Sequence, residues 1–463
     1  MSTPEQTDQN KPDTTKERPT LLRQLLSLAI PITIGGAVQT SYHLINAFWV
    51  GRLGADAVAA ISICLPINML LISLGSGLAL AASILVAQNL GSGKRDQVNH
   101  VTAQSFTLML LVALVISVIG SLTAPLLLEG MGVTESIFAD TLAYLRVSFI
   151  SIIFLLLSSV YQSILRGLGD AKAPLRIILF SVVINALLDP LLIFGVGSFD
   201  GFGVVGAAYG TFITQMISAY AGIRLMLKPR FGLTVRWLDL RPDWAMLGRL
   251  CRLGFPASVE QSMQALTVSV MTVLVTPFGT VAIAAYGLAF RVLTFTLMPA
   301  FAFSMAASIL VGQSIGGGDR KQSSHIAKVT AALSFVVMAV IGAVFFFAAM
   351  PVVSFFVPND AELIEHGTKV LQIFAISFPL SGALLALLGS FRGAGDTFNS
   401  MMLTIVGIWL IQLPLAYLMS RYSSLGEYGL WWASLIATVI NAVIALIYFK
   451  SGRWQNKHVV ATE

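Results

Sequence analysis

Charged side chains are scarce in this chain. Asp, Glu, Lys and Arg make up 11% of its 463 residues, while hydrophobic residues make up 56%. A soluble domain carries roughly 25% charged residues, so this composition excludes a soluble globular protein. Apolar runs of about 20 residues recur, and at about 1.5 Å rise per residue each can cross a hydrocarbon core of roughly 30 Å. The sequence therefore predicts a membrane protein, and its spans must be helical because the backbone finds no water in lipid.

Cysteine and recognisable catalytic motifs are equally rare. Cys64 and Cys251 are the only two cysteines, so the sequence predicts neither a disulfide framework nor a cysteine metal site. No cluster has the spacing of a zinc, haem or iron–sulfur site, and no nucleophile stands beside a base. A phosphate loop is excluded because Gln88 and Arg95 occupy the places where it needs Gly and Ser or Thr. We expect no enzyme activity, no metal and no organic cofactor.

The formal net charge of +6 does not indicate a nucleic-acid partner. Lys and Arg are scattered through the breaks between apolar runs and do not gather on one face. Membrane lipids explain the excess better, so we expect lipids and no nucleic acid as partners. Breaks with Lys94, Arg166 and Arg224 alternate with breaks that carry Glu129 and Asp200. The positive-inside rule therefore places both termini in the cytoplasm.

Twelve apolar runs divide the chain into two halves of six. The predicted spans cover residues 25–50, 57–84, 101–127, 140–164, 174–196, 203–227, 247–275, 280–310, 327–350, 368–390, 398–420 and 428–449. We predict an all-α membrane fold with twelve transmembrane helices in two pseudo-symmetric six-helix lobes. Its segments are a disordered cytoplasmic tail (1–20), an N-terminal lobe (21–227), a cytoplasmic linker (228–246), a C-terminal lobe (247–450) and a second cytoplasmic tail (451–463).

The two halves repeat one another at an almost constant distance. Leu-Ala-Ile-Pro31 returns 225 residues later as Leu-Gly-Phe-Pro256, and Val-Ala-Gln-Asn-Leu-Gly-Ser-Gly returns as Val-Gly-Gln-Ser-Ile-Gly-Gly-Gly at the same distance. Leu-Arg-Gly-Leu-Gly-Asp170 returns 226 residues later as Phe-Arg-Gly-Ala-Gly-Asp396. We interpret these glycine-rich breaks as helix ends and tight turns in which Arg and Asp can pair. Each half has six helices, so both run in the same direction and an axis along the membrane normal should relate them. A central cavity between them is typical of secondary transporters.

Acids inside a span are costly in lipid and mark functional candidates. Asp189 lies 13 residues after Arg176, about 20 Å along the fifth helix, and Asn185 shares its face one turn earlier. Pro190 leaves a carbonyl free in the preceding turn, where a proton or cation could be held. The second half has Leu413 in place of the acid. Asp189 is therefore either a coupling residue or a satisfied buried acid bonded to a neighbouring helix.

Two further groups of polar residues lie within spans. Glu260 stands about 12 Å into the seventh helix, and Gln264 continues its face. Glu260 either serves a second coupling or substrate site or faces the cytoplasmic vestibule. On the first helix Gln39, His43 and Asn46 form a polar stripe at i, i+4 and i+7 that we expect to point into protein. His43 either titrates near neutral pH or is a neutral, hydrogen-bonded structural residue. Asn46 is a candidate for the coupling site of Asp189, and Gln264, His43 and Gln39 are candidates, with Glu260, for a second coupling or substrate site.

These motifs together resemble the multidrug and toxic compound extrusion (MATE) transporters. The resemblance covers about residues 21–450 and rests on Ala-Ile-Pro31, Phe-Trp-Val-Gly-Arg-Leu-Gly54, Ala-Gln-Asn-Leu-Gly-Ser-Gly93, Leu-Arg-Gly-Leu-Gly-Asp170 and the segment 185–190. It implies a V-shaped pair of lobes, alternating access, and export of amphipathic, often cationic compounds in exchange for H⁺ or Na⁺. It also implies a coupling site in the N-terminal lobe, onto which Asp189, Asn185 and Tyr144 map.

The sequence departs from that family at one position that bears on the coupling ion. Asn46 stands where the family usually has Asp, so a pair of carboxylates becomes a single carboxylate with amide neighbours. Hard cations favour anionic oxygen ligands, which weakens the case for Na⁺. Gln264 and Leu380 stand where acids of the sodium-linked branch are expected. We therefore favour H⁺ over Na⁺ as the coupling ion.

The function predicted from sequence is secondary active transport in the inner (plasma) membrane by a monomer. The exported substrates are amphipathic or cationic drugs and toxic organic compounds. In our hypothesis Asp189 takes up a proton from outside, and its neutralisation changes the hydrogen bonding near Pro190 so that substrate is released outward. One alternative is a lipid-linked glycan flippase of the same superfamily, which would have a more basic cavity. The other is a membrane-bound enzyme or sensor, which would need a soluble domain or an intramembrane catalytic cluster.

Overall fold

A computed structural model of the chain describes residues 20–197 and 200–456. Of the predicted tail 1–20, only Thr20 lies within the described residues. The second predicted tail is described as far as Asn456 and is packed there: residues 453–456 form a 3-10 turn, and Trp454 is buried. The Trp454 indole N–H donates to the carbonyl of Phe449, the residue before the end of the last helix.

The first half of the chain forms six helices. They are α1 (Leu21–Gly51), α2 (Ala55–Gly91), α3 (Arg95–Gly130), α4 (Glu135–Gly167), α5 (Lys172–Phe194) and α6 (Val204–Met226). Prolines lie inside four of them without ending them. In α5 the helix continues through Pro190 to Phe194, so the proline that follows Asp189 is part of an unbroken helix.

The second half repeats this pattern with interruptions. It contains α7 (Trp244–Val275), α8 (Thr280–Thr296), α9 (Met298–Gly316), α10 (Arg320–Phe347), α11 (Ala349–Phe356), α12 (Ala361–Gly393), α13 (Thr397–Ile405), α14 (Leu413–Tyr422) and α15 (Tyr428–Lys450). The predicted span 280–310 is broken at Leu297, because Pro299 follows and cannot continue a regular ladder of hydrogen bonds. The predicted span 398–420 contains a π-helical segment, Val406–Gln412, just before Pro414.

The predicted fold class is confirmed as an all-α membrane protein of two six-helix lobes. Within the described residues, 10 helices or broken helices are long and apolar enough to cross a membrane. The other two of the twelve are α6 and α7, which are less apolar. Helix α7 carries Arg249, Arg252 and Glu260, and charged groups lower its hydropathy.

The linker between the lobes packs against α3. Gln104 is 1% exposed, and its amide N–H groups donate to the carbonyls of Asp239 and Arg241, each at 2.8 Å. Its side-chain oxygen accepts the N–H of Asp243 at 2.9 Å. Asp243 in turn caps α7, and its hydrogen bond with His100 holds the pKa of this carboxyl below its usual range. The predicted linker is therefore hydrogen-bonded to α3 of the first lobe, immediately before α7 begins the second lobe.

The two lobes meet through a symmetric pair of glutamines. Gln88 near the end of α2 donates from Nε2 to the carbonyl of Gly393 at 3.0 Å. Gln313 near the end of α9 donates to the carbonyl of Gly167 at 3.1 Å. Each glutamine belongs to one lobe and each acceptor to the other, and the repeat relates the two bonds. We call this contact the glutamine pair, and the end of the molecule where it lies, beside Lys94, the basic end.

Glycines allow the backbones to meet at the glutamine pair. A Cβ added at Gly91 would collide with the carbonyl of Gln313, and one added at Gly316 would collide with the carbonyl of Gln88. Helices that approach this closely need small residues at the contact. Helix α2 packs as tightly against α7, where a Cβ at Gly77 would collide with the backbone of Ser258. The lobes are thus in close contact at the basic end.

We predict that Gln88→Leu/Gln313→Leu will loosen this contact, because both inter-lobe hydrogen bonds disappear and the two carbonyls lose their donors. Spin labels at Ser92 and Lys321, in a background with Cys64 and Cys251 replaced by Ser, should report longer and broader distances by double electron–electron resonance.

The matched control for this experiment is Gln97→Leu/Gln322→Leu. These two glutamines are also related by the repeat but are exposed. The control should keep the wild-type distance distribution. Identical distributions in all three proteins would contradict a role of the glutamine pair in closing the basic end.

Candidate functional site

Asp189 and Asn185 form a buried polar pair on α5. Both side chains are 0% exposed, and Asn185 donates from Nδ2 to Asp189 Oδ1 at 2.9 Å. The i, i+4 spacing read from the sequence therefore corresponds to a direct hydrogen bond. Asp189 Oδ2 and Asn185 Oδ1 have no hydrogen-bond partner within the described residues. The carboxylate is thus buried, with one of its two oxygens hydrogen-bonded and the other without a partner in the described residues.

Helix α6 supplies the wall against which this carboxylate packs. A Cβ added at Gly210 would collide with Asp189 Oδ1, so the glycine allows α6 to approach the acid directly. Thr214 lies one turn further along α6, is buried, and its hydroxyl has no hydrogen-bond partner in the described part of the chain. Gly210 and Thr214 carry no charge, and sequence inspection alone did not single them out.

Two tyrosines complete the surroundings of Asp189. Tyr144 of α4, which the family resemblance assigns to this site, is buried, and it interacts electrostatically with Asp189. Tyr42 of α1 does the same, and its hydroxyl is hydrogen-bonded to Thr211 Oγ1 of α6 at 2.8 Å. Asn46 lies one turn after Tyr42 and contacts it. Tyr42 was not predicted as a site residue, although its i, i+4 spacing to Asn46 was a usable signal.

The other residues of the predicted polar stripe do not join this site. Gln39 and His43 are exposed on the surface of the helix bundle. Successive helical residues are rotated by about 100°, so the buried position of Tyr42 turns His43 away from α6. The imidazole packs edge-on against the Tyr42 ring, with centroids 5.3 Å apart. The expectation that the whole stripe points into protein was wrong for these two residues.

Glu260 occupies a second buried site, in the C-terminal lobe. It is 1% exposed, so it does not face a vestibule. Thr404 and Ser400 of α13 donate hydroxyl hydrogen bonds to its two oxygens at 3.0 and 3.3 Å. Arg392 of α12 lies 3.7 Å away and completes an ion pair. Gln264 lies half-buried one turn further along α7.

The Arg-Gly-x-Gly-Asp turns pair differently from the prediction. Arg392 pairs with Glu260, while Asp396 accepts hydrogen bonds from Tyr448 and Asn399. In the first half Asp170 pairs with Arg230 of the linker. Arg and Asp of one turn do not meet, because each has a partner elsewhere or, for Arg166, lies in the last turn of the preceding helix beside Ser163.

The two acids therefore differ in their chemistry. The charge of Glu260 is compensated by a cation and two hydroxyls, which favours a fixed structural role. Asp189 has a single amide donor and no cation, so it can change its charge by taking up a proton or a cation. Among residues 20–197 and 200–456, no group of three His, Cys, Asp or Glu side chains is placed to hold a metal ion.

Comparison with known proteins agrees with this architecture. The family model described as MatE matches residues 31–191 and 256–418. The two matches begin at the prolines that opened the internal repeat. They cover most of both lobes and include Asp189 and Glu260.

Relatives extend the similarity over almost the entire chain. The probable multidrug resistance protein YoeA of Bacillus subtilis is 29% identical over 96% of this chain and 96% of its own length. The multidrug export protein MepA of Staphylococcus saprophyticus is 26% identical over 93% of this chain and 94% of its own length. A crystal structure of MATE in complex with MaL6 superposes with a TM-score of 0.88 at 23% identity, covering 94% of this chain and 97% of that one.

We predict that Gly210→Ala will destabilise the protein by about 1–3 kcal/mol, because the added methyl group overpacks the contact with Asp189. Thermal unfolding in detergent, followed by tryptophan fluorescence, measures the change. Gly287→Ala in α8 is the matched control, since a Cβ there meets no atom within 4 Å. It should be neutral or slightly stabilising. Equal melting temperatures for the two variants would contradict the close α5–α6 contact.

We predict that Glu260→Gln will cost about 3–5 kcal/mol of stability, because it leaves the Arg392 guanidinium buried without its counter-charge. The double variant Glu260→Gln/Arg392→Gln should recover much of this loss, since neither charge is then unpaired. The same thermal unfolding assay compares the single and double variants. A double variant less stable than the single one would show that the ion pair does not behave as a unit.

Proposed function

Since the chain belongs to the MatE family of membrane transporters, we propose that it is a proton-coupled antiporter that exports amphipathic or cationic organic compounds. The matched family segments and the multidrug names of its relatives support export of such compounds. The proposal includes a location in the inner membrane, with both termini in the cytoplasm, and action as a monomer.

The proposal of proton coupling rests on one observation: the Oδ2 atom of the buried Asp189 has no hydrogen-bond partner in the described residues. This buried carboxylate accepts one hydrogen bond from Asn185 at Oδ1, and its Oδ2 is free to hold a proton. An ionised acid without a counter-charge is expensive in an apolar interior. Uptake of one proton at Oδ2 removes that charge without requiring any other ligand.

The donor set around Asp189 supports H⁺ more strongly than Na⁺. A sodium ion needs several oxygen ligands, preferably anionic ones. Here the groups that interact with Asp189 are uncharged, namely the Asn185 amide and the two tyrosines. Asn46 further weakens a sodium site because it supplies an amide where a second carboxylate would be needed.

A change of charge at Asp189 affects the packing of three helices. The acid lies on α5, packs on Gly210 of α6, and interacts electrostatically with Tyr42 of α1. The Tyr42–Thr211 hydrogen bond joins α1 to α6 beside it. Neutralising Asp189 weakens its bond to Asn185 and its attraction for polar groups on α1 and α6. The helices that border this site can then repack, which is the kind of two-state element that coupling requires.

Repacking at Asp189 is coupled to the opening of the lobes in this proposal. The glutamine pair closes the basic end, whereas Asp189 lies 17 residues along α5 from that end, about 25 Å at 1.5 Å per residue. Substrate would enter from the basic end when the glutamine pair is broken and leave at the other side when it is formed. Proton uptake at Asp189 would favour release of the substrate.

We predict that Asp189→Asn will reduce efflux driven by a pH gradient by at least about tenfold, because the amide cannot exchange a proton with water. The assay uses proteoliposomes loaded with a fluorescent organic cation, with an imposed pH gradient and no sodium. Asp189→Glu should retain part of the activity, since it keeps the titratable carboxyl.

Asp56→Asn is the matched control, because Asp56 is an exposed acid in the first turn of α2. It should transport like the wild type. Normal efflux by a folded Asp189→Asn variant would overturn the assignment of Asp189. Efflux that needs a sodium gradient and ignores the pH gradient would overturn the choice of ion.

A further inference from the structure

A groove of about 410 Å³ lies at the beginning of α1, beside the beginning of α5. Leu22, Leu26 and Ile30 form its apolar wall along one face of α1. Leu22 is 49% exposed and Ile30 is 52% exposed. The wall extends from Leu22 to Ile30, about 12 Å along the helix axis, so it is long enough to lie against part of an acyl chain.

Two basic side chains border the same groove. Arg23 lies in the first turn of α1, and Lys172 is the first residue of α5. Both side chains are exposed. Because α1 begins at Leu21, Arg23 lies where the helix enters the membrane, at the level of the lipid head groups. The groove thus joins an apolar wall to two cations at the membrane surface.

Within residues 20–197 and 200–456, no acidic side chain compensates the positive charge at this groove. Asp170 is the acid next to Lys172 in sequence, but its Oδ1 accepts the backbone N–H groups of Lys172 and Ala173. Its Oδ2 forms an ion pair with Arg230. Within the described residues no carboxylate forms a salt bridge with Arg23 or with the Lys172 ammonium group. Two free cations therefore remain.

A second groove of the same volume, about 410 Å³, provides a contrast. Its cation, Lys369, is paired with Glu365 at 2.7 Å and lies 5.5 Å from the centre of the Tyr428 ring. This groove combines an apolar wall with a cation that already has partners. The two grooves have the same volume and both have apolar walls. They differ because the cation of the second groove is paired, whereas the two cations of the first have no acidic partner in the described residues.

We propose that the α1 groove binds an anionic phospholipid. The lipid phosphate lies between Arg23 and Lys172, and one acyl chain follows Leu22, Leu26 and Ile30. A guanidinium and an ammonium group are the side chains that bind phosphate best, and basic residues at the membrane surface attract anionic lipids. Because the groove joins the starts of α1 and α5, a bound lipid would connect these two helices at the basic end.

The test is a lipid titration of the purified full-length protein in detergent, with bound lipids counted by native mass spectrometry. The probes are palmitoyl-oleoyl phosphatidylglycerol and the zwitterionic phosphatidylcholine with the same chains. We expect the wild type to prefer phosphatidylglycerol. Arg23→Gln/Lys172→Gln should weaken phosphatidylglycerol binding about 30-fold, since each basic residue near the surface contributes about a factor of five. Phosphatidylcholine binding should not change.

Lys369→Gln in the second groove is the matched control and should keep the wild-type preference. Equal binding of both lipids by the wild type, or an undiminished preference in Arg23→Gln/Lys172→Gln, would overturn the proposal. The chain segment before Thr20 contains Asp13 and Glu17, which could occupy the groove in place of a lipid. If Asp13→Asn/Glu17→Gln raises phosphatidylglycerol affinity several-fold, that segment is the occupant and the proposal fails; unchanged affinity supports it.

Discussion

The close approach of α2 and α9 is the constraint on which the arrangement of the two lobes depends. Their backbones meet because Gly91 and Gly316 have no side chain, and the carbonyls of Gln313 and Gln88 fill that space. The glutamine side chains then reach across to the opposite lobe. In lipid there is little hydrophobic force between helices, so such packing and hydrogen bonding must hold the lobes together. The same weakness allows the contact to open without exposing a large apolar core to water.

The two halves have similar backbones but differ in their buried charged side chains. In the second half Arg392 has Glu260 as its partner. In the first half the equivalent Arg166 donates to Ser163 and pairs with no acid of the described residues, because Gly35 occupies the place that corresponds to Glu260. Conversely, Asp189 has no acidic equivalent in the second half. Among the described residues, each lobe thus contains one buried acid that has no acidic equivalent in the other. The pair in the second lobe is neutral as a unit, whereas the single acid in the first can change the net charge of its lobe.

The fold could be predicted from sequence because its signals are local or periodic. The lengths of the apolar runs predicted the membrane spans, and the constant distance between repeated motifs predicted the two lobes. The helix breaks at Leu297 and in Val406–Gln412 were missed, since Pro299 and Pro414 also lie within runs that are apolar throughout. Prolines such as Pro31, Pro66 and Pro125 lie inside helices that they do not break, so composition could not separate the two cases.

The candidate site was predicted only in part. Asp189 and Asn185 were found because a charged group in a span is conspicuous and the two share a helical face. Tyr42, Thr211 and Gly210 were missed because they are uncharged and come from other helices. The ion pair of Glu260 with Arg392 depends on where α7 and α12 lie in the folded lobe, and no sequence spacing reports that arrangement.

The glutamine pair has one more property that follows from its symmetry. Each half supplies one donor, Gln88 or Gln313, and one acceptor, Gly167 or Gly393, and each donor reaches the acceptor of the other half. This is the pattern of an isologous interface between identical subunits. A protein of only six helices with both motifs would therefore find its complete partner in a second copy of itself. The present chain is built like such a homodimer with its two subunits joined by a linker, so Asp189 and Glu260 can differ between the halves while the contact between them remains symmetric.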